Sequence, residues 1–274
     1  MKRRTFAYPY ILWMLLLIVA PMLLIIYYAF TGKIDGNTVF TLDTLKKALE
    51  PLYLRVLLDS LLISLAATVM CLLIGYPVAY IISRMPMNRA NTLSVFFVLP
   101  MWMNFLLRTY AWMALLDVNG IINRFLVSIG FARARLLYTQ GAVMLGMIYN
   151  FLPFMILPIY SVLVKIQKSH IEAAQDLGAS SRQVFGRIIF PLSISGVVSG
   201  ITMVFIPSIT TFAISQLLGG SHFMLYGDLI ENQFIQMSDW HFGSALSFIM
   251  LVLVLISMFI MRRYDKDDVG GKLW

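Results

Sequence analysis

Six apolar runs, free of charge except for one arginine in the third, constrain this chain more than any other feature. They cover approximately residues 9–30, 60–83, 93–116, 141–164, 192–218 and 243–261. A hydrocarbon layer about 30 Å thick is crossed by about 20 helical residues. In lipid every backbone N–H and C=O needs an internal partner, so such runs become helices. The sequence therefore predicts an all-α polytopic membrane protein with six transmembrane helices, folded as one domain over residues 1–274. Composition agrees: 60% of residues are hydrophobic and 12% charged, against about 45–50% and about 25% in soluble domains. The first run is too long for the core of a secretion signal and no small-x-small site follows it before Gly32, so it reads as a span. The single cysteine, Cys71, excludes a disulfide within the chain.

Orientation follows from the basic residues. With the N-terminus inside, the inner segments hold Lys2, Arg3, Arg4, Arg84, Arg89, Lys165, Lys168, Arg182, Arg187, Arg262, Arg263, Lys266 and Lys272, thirteen in all. The outer segments hold seven, Lys33, Lys46, Lys47, Arg55, Arg124, Arg133 and Arg135, and Arg108 lies within the third run. The excess of Lys and Arg on the inner side predicts that both termini are cytoplasmic. That bias and anionic lipid head groups account for the net charge of +8, so membrane lipid is an expected partner and nucleic acid is not.

The inner segment 165–191, between the fourth and fifth runs, contains IEAAQDLGASSRQVFGRIIFPL at 171–192. Ser169 stands three residues before Glu172 and Ser180 three before Gln183, the spacing of a capping box. Gly178 falls where a left-handed C-terminal cap excludes a Cβ, and Pro191 is expected to stop the second helix. The reading is helix, sharp turn, helix. Ala173, Ala174 and Leu177 give the first helix a small apolar strip, and Glu172 and Asp176 an acidic face. A solvated linker has no need of two caps, a placed glycine and small apolar residues; a knob entering another protein's groove does.

This stretch closely resembles the EAA loop of permease subunits of binding-protein-dependent ABC importers, with Glu172, Ala173, Ala174, Gly178, Ile188 and Pro191 in the places of that pattern and Asp176 and Leu177 in its DLGAS context. Further segments, among them PLYLRVLLDSLLISLAATVMCLLIGYPVAY, LPMWMNFLLRTYAWMALL, YNFLPFMILPIYSVL and DWHFGSALS, resemble spermidine/putrescine permeases of the B type. The resemblance implies a type I ABC importer (MetI-like) permease fold in a bacterial cytoplasmic membrane. It further implies that the loop docks on a dimer of ATPase subunits, that a second permease completes the pore, and that an extracellular binding protein delivers a polyamine. Relatives of this kind also carry phosphonates and metal ions, which stand as alternative substrates. No G-x-x-x-x-G-K-[ST] occurs in the chain; the expectation is a non-enzymatic subunit without cofactor, whose ATP is bound and hydrolysed by its partners.

Two other classes are less well supported. A secondary transporter would carry intramembrane carboxylates and paired interrupted helices, yet the six runs contain no Asp or Glu. A membrane enzyme would need a catalytic cluster, whereas His170, His222 and His241 fall between the runs and match no H-E-x-x-H motif.

For the translocation path the candidates are Trp102, Asn104, Arg108, Trp112, Phe212, Ser215 and Gln216. Asn104, Arg108 and Trp112 are spaced by four, so a continuous third helix would place them on one face; Ser208, Phe212 and Ser215 would share a face of the fifth. The aromatic rings could attract ammonium groups, or serve as interfacial anchors. A buried arginine is a functional candidate by default, but a fixed cation repels a polycation, which favours a bundle-holding role for Arg108. Asp228, Glu231 and Asp239, in an outer segment (219–242) without Lys or Arg, could form an acidic mouth. Gly196 and Gly200 form a G-x-x-x-G pair for close helix approach, and Ser60, Ser64, Ala67 and Cys71 a small-residue packing strip.

Overall fold

The structure, a computed structural model, describes residues 8–34, 37–220 and 223–264. Lys2, Arg3, Arg4, Lys266 and Lys272 of the basic count, and His222, lie outside the described residues. Helices α1 (Tyr8–Met14) and α2 (Ala20–Ala29) run together through a π turn at Leu15–Val19. A two-stranded antiparallel ribbon follows, β1 (Thr31–Ile34) with β2 (Asn37–Phe40), Thr31 facing Phe40. Then come α3 (Asp43–Ala48), α4 (Pro51–Ser83), α5 (Met87–Trp102), α6 (Phe105–Leu116), α7 (Ile121–Ser128), α8 (Gln140–Leu163), α9 (Lys168–Asp176) and α10 (Ser181–Val184). A π turn at Phe185–Ile189 leads into α11 (Phe190–Thr210), and a second at Ser215–Gly219 precedes α12 (Tyr226–Ile235) and α13 (Trp240–Tyr264).

Among the described residues six helical stretches are long and apolar enough to cross a membrane: Pro9–Ala29, Pro51–Ser83, Phe105–Ser128, Gln140–Leu163, Ser181–Thr210 and Trp240–Arg263. The region expected as one span over 93–116 is divided between α5 and α6, and its apolar stretch continues from Phe105 through α7. The bundle is organised on α8, which packs against α4 and α11. Met147, Met155, Ile156 and Ile159 of α8 are buried with Ala67, Cys71 and Ala79 of α4 and Val204 of α11. Ser60, Ser64, Ala67 and Cys71 are fully buried, as a packing strip requires. A Cβ on Gly196 would meet the Pro158 carbonyl at 2.9 Å and the Ile159 Cα at 3.1 Å, so the glycine pair brings α11 against α8 inside the bundle. A second cluster, including Phe205, Ile209, Tyr226, Leu229, Phe242 and Leu246, joins α11, α12 and α13. Leu58, Leu62, Leu65 and Leu73 of α4 stay exposed, an arrangement that suits a lipid solvent.

Local expectations fail at three points. Pro191 does not stop the second helix: the chain stays helical from Ser181 to Thr210, with Pro191 at the second position of α11 just after the π turn. A π turn already disturbs the i→i−4 ladder, so proline's missing N–H is accommodated there. Ser169 forms no cap, because α9 begins at Lys168 with Gln167 as its N-cap. His241 lies in the first turn of α13, inside the last apolar helix rather than between the runs; its Nδ1 is 3.2 Å from the Thr31 hydroxyl and ties the ribbon to α13.

Candidate functional site

Two places carry the candidate residues: the short helix α9 on one side of the bundle, and a pair of helix breaks within it. In α9 the sequence dictates the geometry closely. Gly178 has φ +81°; its N–H donates to the Gln175 carbonyl at 2.8 Å and the Ala179 N–H to the Ala174 carbonyl at 3.0 Å. This is the Schellman pair that closes a helix on a left-handed residue. The next helix is capped by Gln183, whose Oε1 accepts from the Ser180 N–H at 2.8 Å and the Ser180 hydroxyl at 3.1 Å. None of the residues of α9 is buried and Leu177 is 89% exposed. Ala174, Leu177, Gly178 and Arg187 edge a cavity of 320 Å³ between α9 and the helix that follows. Glu172, Ala173, Asp176, Leu177 and Gly178 thus stand exposed on a knob capped at its C-terminal end, while Ala174, half-buried, packs back against the bundle.

The breaks fall after prolines. Pro100 lies in the last turn of α5, and Met103 is extended (φ −73°, ψ 146°) before α6 starts. Pro207 lies in the last turn of α11, and Thr211 is extended (φ −69°, ψ 142°). Proline removes an amide donor and clashes with the preceding turn, so a helix that meets one near its end readily stops. Five of the seven path candidates flank these breaks. Trp102, 78% exposed, ends α5. Asn104 caps α6, its Oδ1 accepting from Leu106 N at 2.8 Å and Leu107 N at 3.4 Å; it is not on a continuous helical face with Arg108 and Trp112. Phe212, half-exposed, follows the second break; Ser215 is buried, its hydroxyl donating to the Phe212 carbonyl at 2.8 Å. Ser208 is on the other side of that break, so the expected common face does not form. Trp112 packs edge-to-face on Tyr149, ring centroids 5.3 Å apart.

Arg108 is buried (7% exposed), with Nε and Nη1 unpartnered among the described residues. Gln216 Nε2 donates to Glu231 Oε2 at 2.7 Å, linking the segment after the break to α12. Glu231 also lines two cavities: an apolar one of 630 Å³ that includes Phe212 and Phe234, and a more polar one of 290 Å³ that includes Gln216 and Asp228.

Asp228 was legible only as one of three acidic residues in a loop. It is in fact 5% exposed. Its Oδ2 accepts the Leu225 N–H at 2.6 Å while Oδ1 has no hydrogen-bond partner among the described residues. Burial pushes its carboxyl up to about 6; the Leu225 N–H and the adjacent Ser215 hydroxyl oppose the rise and the Glu231 carboxylate adds to it. Burial likewise raises the Tyr226 hydroxyl. The Tyr226 N–H donates to Ser60 Oγ at 2.8 Å, anchoring α12 on α4.

A family model described as binding-protein-dependent transport system inner membrane component matches residues 4–267. The spermidine/putrescine transport system permease protein PotB of Escherichia coli (strain K12) is 38% identical over 259 residues, covering 93% of this chain and 94% of that protein. The protein of the same name from Haemophilus influenzae (strain ATCC 51907 / DSM 11121 / KW20 / Rd) is 37% identical over 260 residues, covering 93% and 91%. Among solved structures, a crystal structure of a bacterial ABC transporter involved in the import of the acidic polysaccharide alginate has a chain that superposes with a TM-score of 0.76 at 17% identity, covering 96% of each.

Proposed function

The chain belongs to the family of binding-protein-dependent transport system inner membrane components, and on that premise we propose that it is a permease subunit that conducts spermidine and putrescine through a bacterial cytoplasmic membrane. The identity of 38% with spermidine/putrescine permeases along nearly their whole length carries this reading. The chain is a multi-pass membrane protein of a transport family, and its sequence contains no phosphate-cradling loop. Energy therefore comes from partner ATPase subunits. Helix α9 is the docking element: Glu172, Ala173, Ala174, Asp176 and Leu177 enter a cleft on the ATPase, and the turn at Gly178 transmits its motion into the continuous helix Ser181–Thr210. A second, different permease completes the pore, both termini face the cytoplasm, and the 219–242 segment faces the binding protein.

Within the path, the breaks at Met103 and Thr211 interrupt two helices, an arrangement that membrane transport proteins place around their binding sites. Trp102, Trp112 and Phe212 supply aromatic faces for ammonium groups; Asn104 and Gln216 supply polar contacts, and Ser215, fully buried, fixes the turn at Phe212 behind them. Arg108, buried beside the break, sets a positive boundary to the path. Phosphonate and metal-ion import are the competing readings, and the two are separated by the purified complex: ATPase activity stimulated by binding protein loaded with spermidine, and not by phosphonate or divalent metal, is the expected result. Stimulation by either of those in place of spermidine would overturn the substrate assignment.

A further inference from the structure

We propose that the polar cavity beside α12 is a binding site for a primary ammonium group, held by Asp228, Glu231 and Asn232. The inference rests on the polyamine reading and on the outward placement of α12, and it names a particular station on the path. The three acceptors stand at i, i+3 and i+4 of one helix, so their side chains share one face. All three line the same 290 Å³ cavity, together with Gln216 and Phe223, and no Lys or Arg is among its described lining residues. Two of the three present buried oxygens without partners among the described residues, Asp228 Oδ1 and Asn232 Oδ1.

A structural role explains only half of Asp228. Its Oδ2 caps the start of α12 by accepting the Leu225 N–H from the third helical position, a task that a neutral side-chain amide performs there without burying a charge. The second oxygen is enclosed and has no partner among the described residues, the neighbouring Ser215 hydroxyl donating to the Phe212 carbonyl instead, and it is the costly part. An alkylammonium carries three N–H donors and no acceptor. It matches the Asp228 oxygen, the Asn232 oxygen and the Glu231 carboxylate, which Gln216 Nε2 holds at 2.7 Å from the opposite wall. Phe223 offers an aromatic surface to the same cation. A calcium ion takes six to eight oxygens, more than these three side chains supply, and no cluster of three or more His, Cys, Asp or Glu suited to a metal occurs among the described residues.

The test is equilibrium binding of radiolabelled spermidine to the detergent-purified complex of this chain with its partner permease and ATPase, without binding protein, comparing wild type with Glu231→Gln and Asp228→Asn. Charge-assisted hydrogen bonds to the ammonium should make each variant bind about tenfold more weakly or worse, with co-purified ATPase unchanged. Propylammonium should compete in the wild type, whereas calcium should not. Wild-type affinity in Glu231→Gln overturns the proposal, as does competition by calcium and not by propylammonium. If Asp228→Asn fails to assemble, Glu231→Gln decides alone, since its side chain is only partly buried and caps nothing. A wild-type complex that neither binds nor imports spermidine refutes the functional reading itself; one that imports spermidine while both variants bind it normally refutes this site only.

Discussion

Replacing Gly178 by valine should uncouple the permease without removing it from the membrane. The turn has φ +81°, a region that costs an L-residue about 1–2 kcal/mol, more when β-branched. A Cβ added there meets nothing within 4 Å, so no steric clash is superimposed on the backbone term. That amount is a factor of about 5–30 in a local equilibrium. It is too little to keep six apolar stretches out of a bilayer, yet enough to depopulate the turn held by the Gln175 and Ala174 carbonyls. Because Leu177 and the acidic face of α9 lie on the knob this turn aims, the loss should appear as docking failure. Quantitative blotting should give near-normal permease, affinity capture should recover several-fold less ATPase, and uptake should fall in parallel. Gly178→Asn, which tolerates the left-handed region, should restore most of both. Full transport by Gly178→Val would refute the docking role; disappearance of the protein from the membrane would refute the energetic argument.

Trp112→Ala and Phe212→Ala should each lower uptake while leaving ATPase capture intact, and unchanged uptake in both returns them to packing. Gly196→Val should reduce membrane accumulation, because its side chain would overlap the α8 backbone, overpacking that costs about 1–3 kcal/mol or more; normal accumulation would show that α8 and α11 separate easily. Single cysteines at Ser169 and Met237, in a protein with Cys71 replaced, should react with an impermeant maleimide from opposite sides of the membrane in intact and opened cells. Labelling of both from outside contradicts the orientation.

The apolar runs and the short helix α9 with its end at Gly178 could be read from the sequence because both rest on local rules. Hydrocarbon thickness sets the span length, and a left-handed helix end calls for glycine, as Gly178 bears out. The interruptions were not legible in position. Pro100 and Pro207 lie within two of the apolar runs, but neighbouring packing decides whether a proline kinks a helix, ends it or, like Pro191, is absorbed in a π turn. Asn104 looked like part of a helical face because spacing by four assumes a continuous helix; the break at Met103 makes it a cap instead. Asp228 was hidden for a different reason. An acidic residue between apolar runs reads as solvated, and its burial depends on the start of α12 docking, through Tyr226, on Ser60, 166 residues before Tyr226 in sequence. Its one local signal was its place three residues after Leu225, the spacing at which a carboxylate caps a helix.

The most direct test is uptake by sealed proteoliposomes containing this chain with its partner permease and ATPase, with loaded binding protein on the outside and ATP at the ATPase face. Labelled spermidine should accumulate against its gradient only with hydrolysable ATP, and omitting this chain should abolish accumulation. Accumulation driven by a proton or sodium gradient without ATP, or undiminished when this chain is omitted, would contradict its assignment as the conducting subunit of an ATP-driven polyamine importer.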